Sequence, residues 1–253
     1  MTVIIDLTPV RDKTGPARLL DMIEGRSKAG FKTWLAERPA AWRDGIEVVA
    51  MDDSPASRPQ PPRRSPTAVT VIYPFHVVRF AGDALDTCRG RVQRDRFGKR
   101  GQKHDPLYKV RRTLHTGAAL LTEKQQTRLE ALFTDDRHVE AEATWVIYQR
   151  MITAYREPDR KLGKKVMQTV IDTLTSGVPT KLAELRNLGR TLKKRAGDIL
   201  AFFDRPGTSN GPTEAINGRL EHLRGSALGF RNLTNSIARS LLEAGGFRPL
   251  LHR

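Results

Sequence analysis

The sequence predicts an α/β protein in which a large all-α insertion interrupts a small sheet. Three observations point there: β-branched runs near the N-terminus, a helical stretch from about Leu114 to Phe203, and the breaker-rich DRPGTSNGPT before a last helical segment. The 253 residues are 38% hydrophobic and 28% charged, a balance that suits a folded domain rather than a disordered chain. No apolar run reaches the ~20 residues of a membrane span. The opening MTVIIDLTPVRDK lacks the pattern of a secretory signal. Cys88 is the one cysteine, which excludes an internal disulfide and a cysteine-based zinc cluster. The expectation is a cytoplasmic protein with no membrane partner.

TVIIDL (2–7) reads as a strand stopped by Pro9, and ARLLDMIEGR (17–26) as a second strand pairing back on it. In SKAGFKTWLAERPAAW, Ser27 suits an N-cap and Phe31, Trp34 and Leu35 share a helical face. IEVVAMD (46–52) reads as a strand parallel to its neighbours in the sheet. Residues 53–67, DSPASRPQPPRRSPT, hold five prolines and no large apolar residue, so they read as an exposed linker. AVTVI (68–72) resumes as a strand, and HVVRFAGDALDTCRGRV continues as a basic helix. Thr122 caps the next helix, and the segments EAEATWVIYQRMITAY, KKVMQTVIDTL and TKLAELRNLGRTLKKRAGDILAFF extend the helical block. Pro212 suits the start of the last helix. Trp34, Trp42 and Trp145 read as core. The expected division is 1–107, 108–206 and 207–253.

Charge is the strongest bulk signal. The chain carries 44 Lys and Arg against 28 Asp and Glu, a formal net of +16. Between Arg79 and Arg112 eleven basic residues face four acidic ones. Such density draws polyanions, because neutralised phosphates release condensed counterions. Candidate nucleic-acid contacts are Arg89, Arg91, Arg94, Arg96, Lys99, Arg100 and Lys103 in the basic stretch, with Arg219, Arg224 and Arg231 near the C-terminus.

Asp52 stands at the carboxyl end of a strand, where open α/β sheets place ligands, although a turn-forming Asp suits the same position. Glu214 stands in a first helical turn, where a cap, an ion-pair partner and a metal ligand are all open readings. Asn210 and Asn217 complete a compact polar set around it. Ile216, Leu220 and Leu223 form the opposing apolar stripe, which turns the carboxylate away from the core. No P-loop, GxGxxG or Ser-His-Asp order is present.

PTEAINGRLEHLRGSALGFRN, YPFHVVRFAGDALD and VVAMD together resemble the bacterial insertion-sequence DDE transposases of the ISL-three group, over nearly the whole chain. The resemblance implies an RNase H-like mixed sheet interrupted by a helical insertion. It also implies DNA cleavage and strand transfer at Mg2+ or Mn2+. By position, Asp52 and Glu214 resemble two catalytic, metal-binding carboxylates, with Asn210 and Asn217 in support. DNA, both transposon ends and target, is the implied partner, and a homodimer the implied assembly.

The departures from the family shape the expectation. The family's first catalytic aspartate lies on a strand before the one matching TVIIDL, so the sheet is expected to be incomplete and the chain a truncated, inactive copy. Asp6 resembles a family position but not the catalytic one. Tyr73 replaces an aspartate. Residues 53–67 replace a Phe-containing amphipathic helix of the type GFTGFKTA. A shifted reading of such codons gives Ser-Pro-Ala-Ser-Arg-Pro, so this segment reads as frameshifted; a nucleotide sequence with no better match in a neighbouring frame would sink that idea. The alternative expectation, from charge alone, is a non-catalytic helical RNA- or ribosome-associated protein.

Overall fold

The structure is a computed structural model that describes residues 1–25, 28–51, 68–99, 101–208 and 211–247. The chain divides into two compact units, Met1–Tyr73 with Arg205–Arg253, and Pro74–Asp204.

The first unit opens with β1 (Thr2–Asp6) and β2 (Arg18–Ile23), paired antiparallel from Thr2↔Ile23 to Asp6↔Arg18. Their link holds a short helix, α1 (Thr8–Arg11), where Pro9 sits in a first turn whose N–H groups lack helical partners in any case. Asp6 spends its carboxylate on this turn. It accepts from the Thr8 N–H at 2.9 Å and from Arg18 Nη2 at 2.6 Å. Burial pushes its carboxyl up, but the bonds from Arg18 and Thr8 outweigh burial and hold it low.

One helix was expected across Ser27–Trp42. Ser27 lies outside the described residues, and the segment splits into α2 (Lys28–Ala36) and α3 (Ala40–Asp44) because Pro39 lacks the N–H that would continue the ladder. Trp42 is therefore carried on a separate short helix. It is 43% exposed, edge-on to Trp34, rather than in the core as expected.

β3 (Val48–Met51) runs parallel to β4 (Val69–Ile72), from Val48↔Val69 to Met51↔Ile72. The parallel direction matches the expectation. The single mixed sheet does not: among the described residues β1 bonds only to β2 and β3 only to β4, giving two two-stranded sheets.

The second unit is helical. Its elements are α4 (Pro74–Phe97), α5 (Pro106–Lys109), α6 (Glu123–Phe133), α7 (Val139–Arg156), α8 (Arg160–Thr175), α9 (Ala183–Lys194) and α10 (Ala196–Asp204). Thr122 caps α6 in a reciprocal box with Gln125, as its sequence suggests. α4 packs on α7 and α9, while α8 packs on α7, α9 and α10. Leu85, Met151, Met167, Leu192 and Ile199 are fully buried between these helices. α4 groups with the helices C-terminal to it, because its buried face meets α7 and α9. Two glycines permit close approach. A Cβ on Gly163 would sit 2.5 Å from the Ala154 carbonyl oxygen, and one on Gly189 2.4 Å from that of Leu174.

The chain then returns to the first unit with α11 (Gly211–Ser226) and α12 (Leu233–Ala244). Leu19 and Met22 of β2 pack with Ile216 of α11 and Ala244 of α12, joined by Val3 and Ile5 of β1. Ile4, between those two, belongs instead to a cluster with Trp34 and Leu35 of α2. That alternation is the period-two signature of a strand covered on both faces. The described chain is thus mostly helical with two small sheets, more helical than the α/β reading of the sequence.

Candidate active site and nucleic-acid interface

α11 is oriented by one side chain. Ile216 is 1% exposed against the β1–β2 core, and Leu220, one turn on, packs beside it. Successive helical residues are about 100° apart, so Glu214, two positions before Ile216, points nearly opposite. Glu214 is exposed in the first turn of α11 and makes no hydrogen bond or ion pair among the described residues. Of the three readings its sequence left open, neither the cap nor the ion pair has a partner among the described residues. The carboxylate still complements the positive end of the helix dipole. Asn217, also exposed, sits about one turn away on the same side.

Asp52 and Asn210 lie outside the described residues. β3 ends at Met51, immediately before Asp52, and both β3 and α11 belong to the first unit although 162 residues separate Asp52 from Glu214. Among the described residues no group of three or more His, Cys, Asp or Glu side chains is placed to hold a metal. The donor chemistry of Glu214 itself fits a hard divalent ion, which takes carboxylate oxygens and needs only one or two of them per ion.

The basic residues expected to meet nucleic acid fall into two groups. Arg94, Arg96, Lys99, Lys103, Arg219, Arg224 and Arg231 are exposed, and Arg100 lies outside the described residues. Arg89 and Arg91 face inward. Arg89 is 6% exposed, with Nη2 2.9 Å from Asp86 Oδ1 and Nη1 3.2 Å from Gln93 Oε1. Arg91 forks onto Glu184, Nε to Oε1 at 2.8 Å and Nη2 to Oε2 at 3.1 Å. Its Nη1 lies 2.6 Å from Glu140 Oε2, a close ion pair outside hydrogen-bond angles. The same guanidinium holds the Glu184 carboxyl below its ordinary value against the opposing effect of burial. The spacings Asp86–Arg89 and Arg91–Asp95 were visible signals of local pairing; the longer reach from Arg91 to Glu184 was not.

Between α11 and α12 lies an open groove of ≈ 530 Å3, lined by Gly218, Arg219, His222 and Ser226 with Glu243 opposite. The loop that joins the two helices is unusual. Leu228 has φ 52° and is 97% exposed.

α11 thus carries an exposed carboxylate together with exposed Arg219 and Arg224, in a chain of formal net charge +16. A family profile described as transposase, of the DDE type and the ISL-three group, matches residues 1–240. The chain belongs to this family of DNA transposases, and the RNA- or ribosome-associated alternative is not favoured. Neither the search of curated proteins nor that of solved structures returned a match. No described helix is long and apolar enough to cross a membrane.

Proposed function

We propose that this chain carries two carboxylates of an ISL-three transposase's catalytic centre, Asp52 and Glu214, as ligands of a divalent metal at a DNA phosphodiester. The observation that carries the reading is Glu214: an unengaged carboxylate held outward by the buried Ile216, in a chain whose family match spans residues 1–240. An antiparallel pair followed by a parallel pair, then a helical insertion, also supports an RNase H-like arrangement of the first unit.

Mg2+ or Mn2+ bound there would supply charge stabilisation at phosphorus and a more acidic water. The residues of the chain do the rest. Glu214 fixes an anionic donor on a rigid helix, Asn217 offers a neutral donor and acceptor one turn away, and Arg94, Arg96, Lys99 and Lys103 neutralise phosphates along the duplex. Asn210 is the supporting residue at the start of the helix.

The test is nicking of supercoiled DNA by the full chain with Mg2+ or Mn2+. Glu214→Gln keeps size and removes charge; it should lower cleavage by on the order of a hundred-fold or more while duplex binding persists. Cleavage by Glu214→Gln at the wild-type rate would exclude Glu214 from the site. Tight duplex binding with no metal-dependent nicking would mark a chain that binds DNA without cutting it.

A further inference from the structure

The turn after α11 carries a leucine where its geometry favours glycine. Gly229 N–H bonds the Arg224 carbonyl at 2.9 Å, and Leu228 N–H bonds that of Gly225 at 3.0 Å. Those two bonds define a Schellman stop, whose left-handed position takes glycine or asparagine as a rule because a Cβ is strained there. Leu228 occupies that position at φ 52°, while Gly229, with φ 90°, is one residue late. The strain is not repaid by burial, since Leu228 is 97% exposed. The usual apolar contact of this motif is missing too, because its outer residue is Gly229.

The residues that follow this side chain make contacts of their own. Phe230 lies beneath the Arg239 guanidinium, 5.8 Å from ring centre to Cζ, and Asn232 caps α12 by accepting from Asn235 N–H at 3.2 Å. Leu228 thus sits on a turn closed by backbone hydrogen bonds on its α11 side and followed by the Asn232 cap of α12. Arg224 and Arg231, both exposed, flank it; Arg224 has only a long 3.8 Å contact to exposed Glu221. A conformation that costs the fold and gains it no contact marks a place where something else makes the contact.

We propose that Leu228 is a wedge that enters a base step of duplex DNA, with Arg224 and Arg231 gripping the flanking phosphates. This rests on the DNA reading above and adds to it a residue and a deformation. Leucine is among the apolar side chains that proteins insert between base pairs, unstacking the step and bending the duplex. A second copy of this chain is the weaker occupant, because it would bring another formal +16 against the same arginines. Glu214 lies at the opposite end of α11, roughly 20 Å away along the axis, so the bend would fall several base pairs from the carboxylate.

The experiment uses the full chain and short duplexes carrying 2-aminopurine at successive positions, with fluorescence for unstacking and anisotropy for binding. Wild type should raise the fluorescence several-fold. Leu228→Gly, which suits the left-handed backbone and so keeps the fold, should abolish the rise and leave the salt dependence of binding unchanged. An equal rise with the variant, or wild-type binding with no rise at any position, overturns the wedge and leaves the DNA reading standing. No binding to the duplex overturns both. A concentration-dependent dimer that disappears in Leu228→Gly overturns it in favour of a second copy.

Discussion

Arg91 shows how a surface-charge count can mislead at the scale of one residue. It sits on α4 yet joins that helix to Glu140 of α7 and Glu184 of α9. Removing it would leave the buried Glu184 carboxylate without its partner. Arg91→Met is expected to cost about 2–3 kcal/mol, the low side for a buried pair because Arg91 is itself 27% exposed. Arg91→Met with Glu184→Leu should recover part of that loss in chemical denaturation; a single variant as stable as wild type would sink the assignment. The sign with pH follows from the depressed Glu184 carboxyl. Its contribution is present above the ordinary glutamate value, about 4.3, and is lost as pH falls below it. Arg89, closed onto Asp86 and Gln93, is a second cation spent inside the fold.

Elements show which parts of the fold are readable from sequence. The outward direction of Glu214 was legible, because the spacing of Ile216 and Leu220 sets the face of α11 that meets the core, while Leu223, expected on the same stripe, lines the open groove instead. The Thr122 cap and the return of the second strand on the first were legible for similar local reasons. The partner of β3 was not, since strand pairing is set by contacts that periodicity does not encode. Leu228 was hidden by its neighbour: in GSALGFRN the glycine invites the left-handed position, and the hydrogen bonds place leucine there instead. Glycines within helices divide in the same way. Gly189→Ala forces a Cβ to 2.4 Å from the Leu174 carbonyl oxygen and should destabilise the helical unit by about 1–3 kcal/mol. Gly218→Ala on α11 meets open space and should stabilise by about 0.5–1 kcal/mol. Thermal melts of the two variants should move in opposite directions; a shared direction would mean that the α8–α9 approach at Gly189 is looser than described.

The whole molecule binds DNA, on this reading, through scattered exposed cations rather than one motif. Arg94, Arg96, Lys99, Lys103, Arg219, Arg224 and Arg231 give up to seven phosphate contacts. Logarithmic affinity should then fall with logarithmic salt, by a slope of about −0.9 for each of them that meets a duplex phosphate. A slope near zero would contradict an electrostatic interface. The division of the chain has a further consequence during synthesis. Leu19 and Met22 emerge early, but Ile216 and Ala244, which cover them, are encoded about two hundred residues later. At roughly 5–20 residues per second the ribosome leaves that apolar face open for on the order of 10–40 s, while the helical block is made in between. The first unit therefore cannot close until Ala244 has been made, and until then this sheet offers its apolar face to a chaperone.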